Sequence, residues 1–234
     1  MKNTLFVLLI TLCLQSWAQI PEEYYSSAQG KTCEELVSTL HSIISNHTEI
    51  SYSNIWSAFV EKEIREEPVW NMYSTCTFTF GEDQDNGTGG TSECEYYNRE
   101  HSFPRSWFGG AIAPMNTDLF HLYPTDKKVN SVRADYPYGN VSNTTYTSSN
   151  GSKLGSSASG YSGTVFEPAN EYKGDFARSY FYMTTRYYDQ ISSCSSEMLN
   201  GSNFPAFSNW ALTILLEWHQ SDPVSLKEIE RNNL

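Results

Sequence analysis

The chain has 234 residues, with 15 basic and 27 acidic side chains and a formal net charge of −12. This length fits one large domain and is sufficient to bury a substantial core. The 16 Tyr, 12 Phe and 6 Trp supply large apolar side chains, which argues against wholesale disorder. The acidic balance argues against nonspecific adhesion to nucleic acid or anionic membranes, but it does not exclude a local basic cleft.

The first residues of the chain have the layout of a secretory signal peptide. Lys2 precedes a mostly apolar run from Leu5 to Leu14, and Ser16-Trp17-Ala18 supplies small residues for a cleavage site. The apolar run is too short to span a bilayer comfortably. We expect residues 1–18 to be removed, which leaves residues 19–234 with a net charge of −13 because Lys2 is lost. The product is expected to be soluble and exported.

Four cysteines remain in this mature chain, and none of them stands in a C-x-x-C spacing that would indicate a zinc ribbon. An oxidising compartment favours two disulfides, for which three pairings are possible. We favour Cys76–Cys94, which would pin a loop rich in Gly and Asp, together with Cys33–Cys194. A catalytic thiol is the alternative use of one of these residues.

The first half of the chain predicts two helices followed by strands. Leu36, Leu40, Ile43 and Ile44 recur at helical spacing, and Thr32 with Glu35 fits a capping box, which predicts a helix over residues 33–45. A second helix is predicted over residues 55–64. The aromatic and β-branched segments 69–74 and 77–80 are typical of strands, and residues 81–90 of a polar loop.

The second half predicts more helix than strand. A strand is expected to end near His101, and a short helix to follow over residues 126–132. Residues 140–163 are almost all Ser, Gly, Asn, Thr and Tyr, which predicts a long irregular segment. Three more helices are expected, over residues 173–188, over 209–218 and from Ser225 onward. Together the patterns predict one α+β domain, mainly helical, with a small antiparallel sheet.

The charge balance reverses between Arg99 and Arg133, where five basic residues face three acidic ones. A positive window in an acidic protein can steer an anionic substrate. Glu100 and His101 lie in this window, and Asn130 follows 29 residues after His101. Carboxylate and amide oxygens suit Mg²⁺ or Ca²⁺ better than Zn²⁺, and a histidine beside such an ion can act as general base toward water.

The chain resembles the bacterial endonuclease I family of secreted and periplasmic nucleases, which uses the ββα-metal (His-Me finger) site. The resemblance rests on seven ordered stretches that together span most of residues 30–234: YNREH at 97–101, FPRSWF at 103–108, DLFHLYPTD at 118–126, VNSVR at 129–133, YPYG at 136–139, KGDFAR at 173–178 and DPVS at 222–225. It implies that His101 is the general base and that Glu100 and Asn130 hold a divalent ion. Mg²⁺ is the expected ion, with Mn²⁺ or Ca²⁺ as alternatives.

The resemblance further implies hydrolysis of phosphodiester bonds in DNA and RNA, with 5′-phosphate products and little sequence preference. The protein is expected to be secreted or periplasmic and monomeric, with no membrane contact after processing and no stable protein partner. Arg133 lies three residues beyond Asn130, so on a helix both share a face. Arg133 is therefore the first candidate for gripping the scissile phosphate, and Arg105 is the second.

The adjacency of Glu100 and His101 imposes a geometric condition. Neighbours on a regular strand point to opposite faces. Both can serve one site only if the strand ends, bends or bulges there, and Pro104 shortly afterwards favours a strand end. His121, in contrast, is expected to be a core histidine or an indirect partner of the site.

Two other functions stay open at this point. The Tyr-, Gly- and Ser-rich stretch 136–163 could form the glycan-recognition surface of a secreted binding module. Family members also continue beyond the last motif with a further helix and an Asn-Arg-Asn-Pro-Phe segment. The C-terminal end of this chain is therefore expected to be truncated, and a relative that has lost its activity is the third possibility.

Overall fold

Helices and short antiparallel strands form the predicted α+β architecture. The computed structural model describes residues 20–63, 69–158 and 160–232, so the predicted signal peptide and its cleavage after Ala18 lie outside the described residues. The six helices of the described part are α1 Cys33–Ile44, α2 Ile55–Glu63, α3 Lys127–Arg133, α4 Lys173–Arg186, α5 Asn209–Ser221 and α6 Leu226–Asn232. None of them combines the length and the apolar run that a membrane crossing requires.

All six predicted helices form, but the capping box at the start of α1 does not. Thr32 is extended and makes no side-chain hydrogen bond to the first turn. The arrangement occurs instead at α6, where the Ser225 hydroxyl accepts from the backbone N–H of Glu228 at 3.2 Å. The Glu228 carboxylate accepts in return from the backbone N–H of Ser225 at 2.9 Å, so the two residues satisfy both free donors of the helix start.

The strands predicted over residues 69–74 and 77–80 were wrong, since the backbone forms bends at residues 72–75 and has no regular structure at 76–79. One side chain, Asn71, bonds to several backbone groups of this segment. The amide nitrogen of Asn71 donates to the Ser74 carbonyl and hydroxyl oxygens. Its oxygen accepts from the backbone N–H groups of Tyr73 and Asp126. These bonds replace the partner strand that a ladder would need.

Two strands and one helix form a ββα unit in the middle of the chain. Strand β1 Tyr97–His101 pairs antiparallel with β2 Leu122–Asp126, which places His101 opposite Leu122. Helix α3 follows β2 at once, because the Asp126 carboxylate accepts from the backbone N–H groups of Lys128 and Val129 and so caps the helix. The cap fixes where α3 begins relative to the two strands.

Residues 140–163 were predicted to be irregular, and this prediction was wrong. They contribute two strands to a second, three-stranded antiparallel sheet. It consists of β3 Val141–Thr147, β4 Lys153–Ser157 and β5 Thr164–Glu167 in that order. The face of β3 is largely exposed, so it carries no alternation of apolar residues that would predict a strand. Gly155 is required in β4, since a Cβ there would lie 2.0 Å from the Asn143 carbonyl oxygen.

Helix α4 runs through the main core, and nine of its residues are buried. Its aromatic side chains pack into this core, with Tyr180 fully buried against Phe103 and Trp107. Asp175 and Arg178 form an ion pair at 3.7 Å along the helix, with Asp175 buried. Arg178 pairs mainly with Glu228 and thereby ties α6 to α4.

One of the two predicted disulfides is confirmed. Cys76 and Cys94 are bonded and close the polar loop between them. The second pair was wrong, because Cys33 is free and exposed at the start of α1 while Cys194 is free and buried in the core. Burial raises the pKa of the Cys194 thiol to about 11, so this group is a neutral packing residue.

Candidate active site

All five residues predicted for the site line one cleft of about 420 Å³ beside the ββα unit: Glu100, His101, Arg105, Asn130 and Arg133. Strand β1 contributes two of them at its C-terminal end, and α3 contributes two more. Because β1 ends at His101, Glu100 and His101 both reach the cleft. The condition set by their adjacency in the sequence is thus met.

Glu100 is a buried carboxylate held by two donors. The Tyr73 hydroxyl donates to its Oε1 at 2.7 Å and the Arg133 Nη1 donates to the same atom at 3.0 Å. Burial raises the pKa of Glu100, and the positive charge of Arg133 opposes this shift. Since both bonds end on Oε1, Oε2 is the oxygen that can serve a ligand in the cleft.

Asn130 presents its side chain from the middle of α3. Its amide nitrogen donates to the Asn98 Oδ1 at 2.6 Å. This bond uses the nitrogen and orients the amide, so the Asn130 Oδ1 is left for a ligand. Glu100 Oε2 and Asn130 Oδ1 are therefore two hard oxygen atoms in one cleft, which is a donor set that fits Mg²⁺ or Ca²⁺.

His101 has a defined tautomer. Its Nε2 lies 3.0 Å from the carbonyl oxygen of Asn116, and a carbonyl can only accept, so Nε2 carries the proton and Nδ1 carries the lone pair. Burial, and secondly the neighbouring His121, lower the pKa of His101 to about 3. The ring is therefore neutral near pH 7, and its Nδ1 is unprotonated.

The surroundings of His101 are aromatic on two sides. The Tyr52 ring stacks on it with centroids 6.1 Å apart and an interplanar angle of 19°. His121 meets it edge to face at 5.4 Å and is itself fully buried, with Nε2 bonded to the carbonyl oxygen of Met115 at 2.6 Å. His121 thus occupies the core position that the sequence suggested, directly behind the proposed base.

Arg133 lies beneath the cleft rather than across it. Its guanidinium donates to Glu100, to the carbonyl oxygens of His101 and Ser102, and to the Tyr180 hydroxyl. Only 1 % of its surface is exposed. Because both terminal nitrogens of Arg133 already donate within the protein, they are not available for the direct phosphate contact expected from the sequence. Arg133 instead ties Glu100 to the end of β1.

Arg105 has the opposite character. It begins a short 3-10 turn after Pro104, and its side chain is half-exposed in the cleft. Within the described part of the chain its side chain forms no ion pair, and its buried Nε has no hydrogen-bond partner. Its guanidinium stacks over the Tyr52 ring at 5.3 Å from the centroid. These donors are available to an anion.

Sequence reasoning missed four residues that shape the cleft: Tyr52, Tyr73, Asn98 and Arg99. Asn98 and Arg99 stand next to Glu100 in the motif, so their proximity was available from the sequence. Tyr52 and Tyr73 lie 49 and 28 residues before His101, on segments without regular strand structure. No sequence signal points to their contacts with His101 and Glu100.

A ββα unit with a neutral histidine, a carboxylate and an amide beside one cleft is the arrangement that the sequence resemblance to nucleases predicts. Over residues 32–234 the chain matches the family described as Endonuclease I, and it therefore belongs to that family. It is 36% identical over 216 residues to an extracellular ribonuclease of Bacillus subtilis (strain 168), covering 91% of this chain and 70% of the relative. An extracellular ribonuclease of Bacillus amyloliquefaciens is 37% identical over the same length, with the same coverage.

Proposed function

We propose that the protein is an exported, divalent-metal-dependent endonuclease that hydrolyses phosphodiester bonds in DNA and RNA. The observation that supports the proposal is the shared cleft, which is lined by His101, with its lone pair on Nδ1, and by two residues with hard oxygen atoms, Glu100 and Asn130. The names of the two relatives support RNA as a substrate and export as the destination. The products carry 5′-phosphates, sequence preference is low, and the protein acts as a monomer.

His101 is the proposed general base. Its Nδ1 takes a proton from the attacking water, and the imidazolium that forms keeps its Nε2–H bond to the Asn116 carbonyl oxygen. Since that carbonyl is a fixed acceptor, the ring neither flips nor changes tautomer during the reaction. The stacked Tyr52 ring covers one side of the imidazole and keeps bulk water from it.

Glu100 and Asn130 are the proposed metal ligands. A bound divalent ion would neutralise the charge that develops on the phosphate and on the departing 3′ oxygen. The protein prepares both ligands in advance, because Tyr73 and Arg133 fix the Glu100 carboxylate while Asn98 fixes the Asn130 amide. Mg²⁺ is the expected ion, with Mn²⁺ or Ca²⁺ as alternatives.

Arg105 is the proposed contact to the scissile phosphate, since its guanidinium faces the cleft without a carboxylate partner among the described residues. Arg133 acts indirectly, as a positioning residue for Glu100. This revises the order given by the sequence, in which Arg133 came first. The buried guanidinium network is the reason for the change.

The test compares purified wild-type protein with His101→Ala on plasmid DNA and on single-stranded RNA, with Mg²⁺ and with a chelator. Wild type is expected to cut both substrates only when Mg²⁺ is free. His101→Ala is expected to lose at least about 100-fold in turnover, the usual worth of a general base. His219→Ala is the matched control, because His219 is exposed on α5 outside the cleft.

Intact nucleic acid under every condition would contradict the proposal and favour the binding module or the inactive relative. Cleavage that survives His101→Ala at the wild-type rate would remove His101 as the base. Cleavage that ignores the chelator would remove the metal from the proposal.

A further inference from the structure

Arg99 is a basic side chain of the cleft to which the proposed reaction gives no role. It lines the same cleft as Glu100 and His101. Its guanidinium carbon lies 3.9 Å from the centroid of the Tyr52 ring and 4.3 Å from that of the Trp56 ring. Its Nη1 also donates to the Tyr52 carbonyl oxygen at 2.9 Å. The guanidinium is therefore held in one orientation before any ligand arrives.

The charge of Arg99 is not matched by a carboxylate among the described residues. Asp85, the carboxylate that attracts it, forms its ion pair with Lys127 at 2.7 Å. Asp135, which also lines the cleft, accepts from the Ser106 hydroxyl. Arg99 and Arg105 both stack on the Tyr52 ring. Two guanidinium groups without a carboxylate partner on one side of the cleft attract the phosphates of a nucleic acid strand.

The position of Arg99 separates it from the proposed scissile phosphate. Arg99 and His101 are two residues apart on β1, so they share a face and lie about 7 Å apart along the strand. Tyr52 covers this face, since it contacts both side chains. Glu100, between them in the chain, is held by Tyr73 and Arg133. The distance between Arg99 and His101 along the strand is comparable to the backbone length of one extended nucleotide.

We propose that Arg99, clamped between Tyr52 and Trp56, binds the phosphate of the nucleotide next to the scissile bond. This rests on the proposed nuclease function. It makes the favoured substrate a strand with at least two consecutive phosphates, so that a dinucleoside monophosphate, which has only the scissile phosphate, is a poor substrate.

The first experiment needs no variant. The kcat/KM of wild-type protein is compared for a dinucleoside monophosphate and for the same dinucleotide carrying one further phosphate, at its 5′ end or at its 3′ end. One of the two extended substrates is expected to gain about tenfold, the equivalent of one charge-assisted hydrogen bond. Equal values for all three substrates would overturn the inference, whereas no cleavage of these or of longer strands would instead overturn the proposed function.

The second experiment measures binding. The affinity of a single-stranded decanucleotide for the non-cleaving His101→Ala protein is followed against salt concentration. Adding Arg99→Gln is expected to lower affinity about tenfold and to reduce the slope of log K against log salt by about 0.7, the value for one phosphate contact on a single strand. Lys153→Gln, on β4 and outside the cleft, is the charge-matched control and should leave the slope unchanged.

Arg99→Lys and thermal melting separate binding from folding. Lysine keeps the charge, so it should restore most of the slope even though it loses the planar stacking. In cleavage, Arg99→Gln should raise KM more than it lowers kcat, and the loss should be about tenfold greater on the extended substrate than on the dinucleoside monophosphate. A folded Arg99→Gln protein with the wild-type salt slope and an equal loss on both substrates would refute the phosphate contact.

Discussion

The Glu100 carboxylate can be buried because a tyrosine hydroxyl and a guanidinium donate hydrogen bonds to one of its oxygens. The Tyr73 hydroxyl donates to Glu100 at 2.7 Å, and it lies 2.6 Å from the Tyr138 hydroxyl. Since the Tyr73 proton goes to Glu100, Tyr138 must donate to Tyr73. The Arg133 guanidinium lies over the Tyr138 ring, with 4.6 Å between its carbon and the ring centroid. This buried network holds the proposed ligand without using its second oxygen.

The Tyr73→Phe substitution tests this network. It removes the donor to Glu100 and leaves the buried Tyr138 hydroxyl without its acceptor, while the aromatic packing is kept. We expect the free energy of unfolding to fall by about 1–3 kcal/mol, as measured by urea denaturation. Tyr188→Phe is the control, because Tyr188 donates to Glu34 at the protein surface. Equal stabilities of the two variants would show that the network contributes nothing to folding.

At the scale of single residues, the sequence predicted which side chains share the cleft but not what each one does there. The ordered motifs pointed to His101, Glu100, Asn130, Arg105 and Arg133, and all five line one cleft. The order of the two arginines in our proposal depends on burial, which a motif does not encode. The tautomer of His101 depends on a backbone carbonyl 15 residues away.

At the scale of elements, the contact between β1 and α3 positions the proposed metal site. Asn98 on β1 accepts from the Asn130 amide on α3 at 2.6 Å. The helix is also fixed at its start by the Asp126 cap. Strand and helix thus each contribute one proposed ligand, Glu100 and Asn130, and a hydrogen bond to a neighbouring side chain orients each of them.

Asn98→Leu is expected to loosen the Asn130 amide without removing a ligand. The Mg²⁺ concentration for half-maximal cleavage should rise about 10- to 100-fold, the usual effect of losing a group that orients a metal ligand. Isothermal titration of Mg²⁺ should show the same loss of affinity. Asn98→Asp keeps the acceptor and should restore most of the affinity. If Asn98→Leu binds Mg²⁺ as wild type does, the orienting role is refuted.

Helices were predicted more reliably than strands for a physical reason. The helices carry apolar residues at helical spacing, and α5 buries such a stripe through Ala211, Ile214, Leu215 and Trp218, so their patterns survive in the sequence. The β3–β5 sheet is built largely from Ser, Thr and Gly, and its outer strand is exposed, so no alternation marks it. The segment at residues 69–80 has the composition of a strand, yet it has no partner strand among the described residues. Backbone groups of Ser74 and Tyr73 bond instead to the Asn71 side chain.

At the scale of the whole molecule, the Cys76–Cys94 disulfide joins the segment at residues 69–80 to the loop that precedes β1. The backbone N–H of Cys94 donates to the Asp126 Oδ2 at 2.9 Å, and the Ser74 hydroxyl donates to the same oxygen at 3.1 Å. Asp126 caps α3, which carries Asn130. The disulfide therefore helps to position Asn130, a proposed metal ligand, through the Asp126 cap of α3.

Replacing both Cys76 and Cys94 by Ser should lower the free energy of unfolding by about 3 kcal/mol, because the cysteines are 18 residues apart and the bond restrains a loop of that size. Urea denaturation measures this change. The cleavage rate should fall as well, since the Asp126 cap loses a restrained donor. Cys33→Ser is the control, because Cys33 is exposed and unbonded. A double variant as stable and as fast as wild type would contradict the prediction.

Because the Cys76–Cys94 disulfide restrains the cap of α3, we expect the geometry of the cleft to depend on redox conditions. Thiols in the cytoplasm are kept reduced, whereas oxidising compartments allow them to pair. A newly made chain that still has free thiols at residues 76 and 94 lacks the restraint on the cap of α3. We therefore expect the reduced protein to cleave nucleic acid more slowly than the protein in which this pair is oxidised.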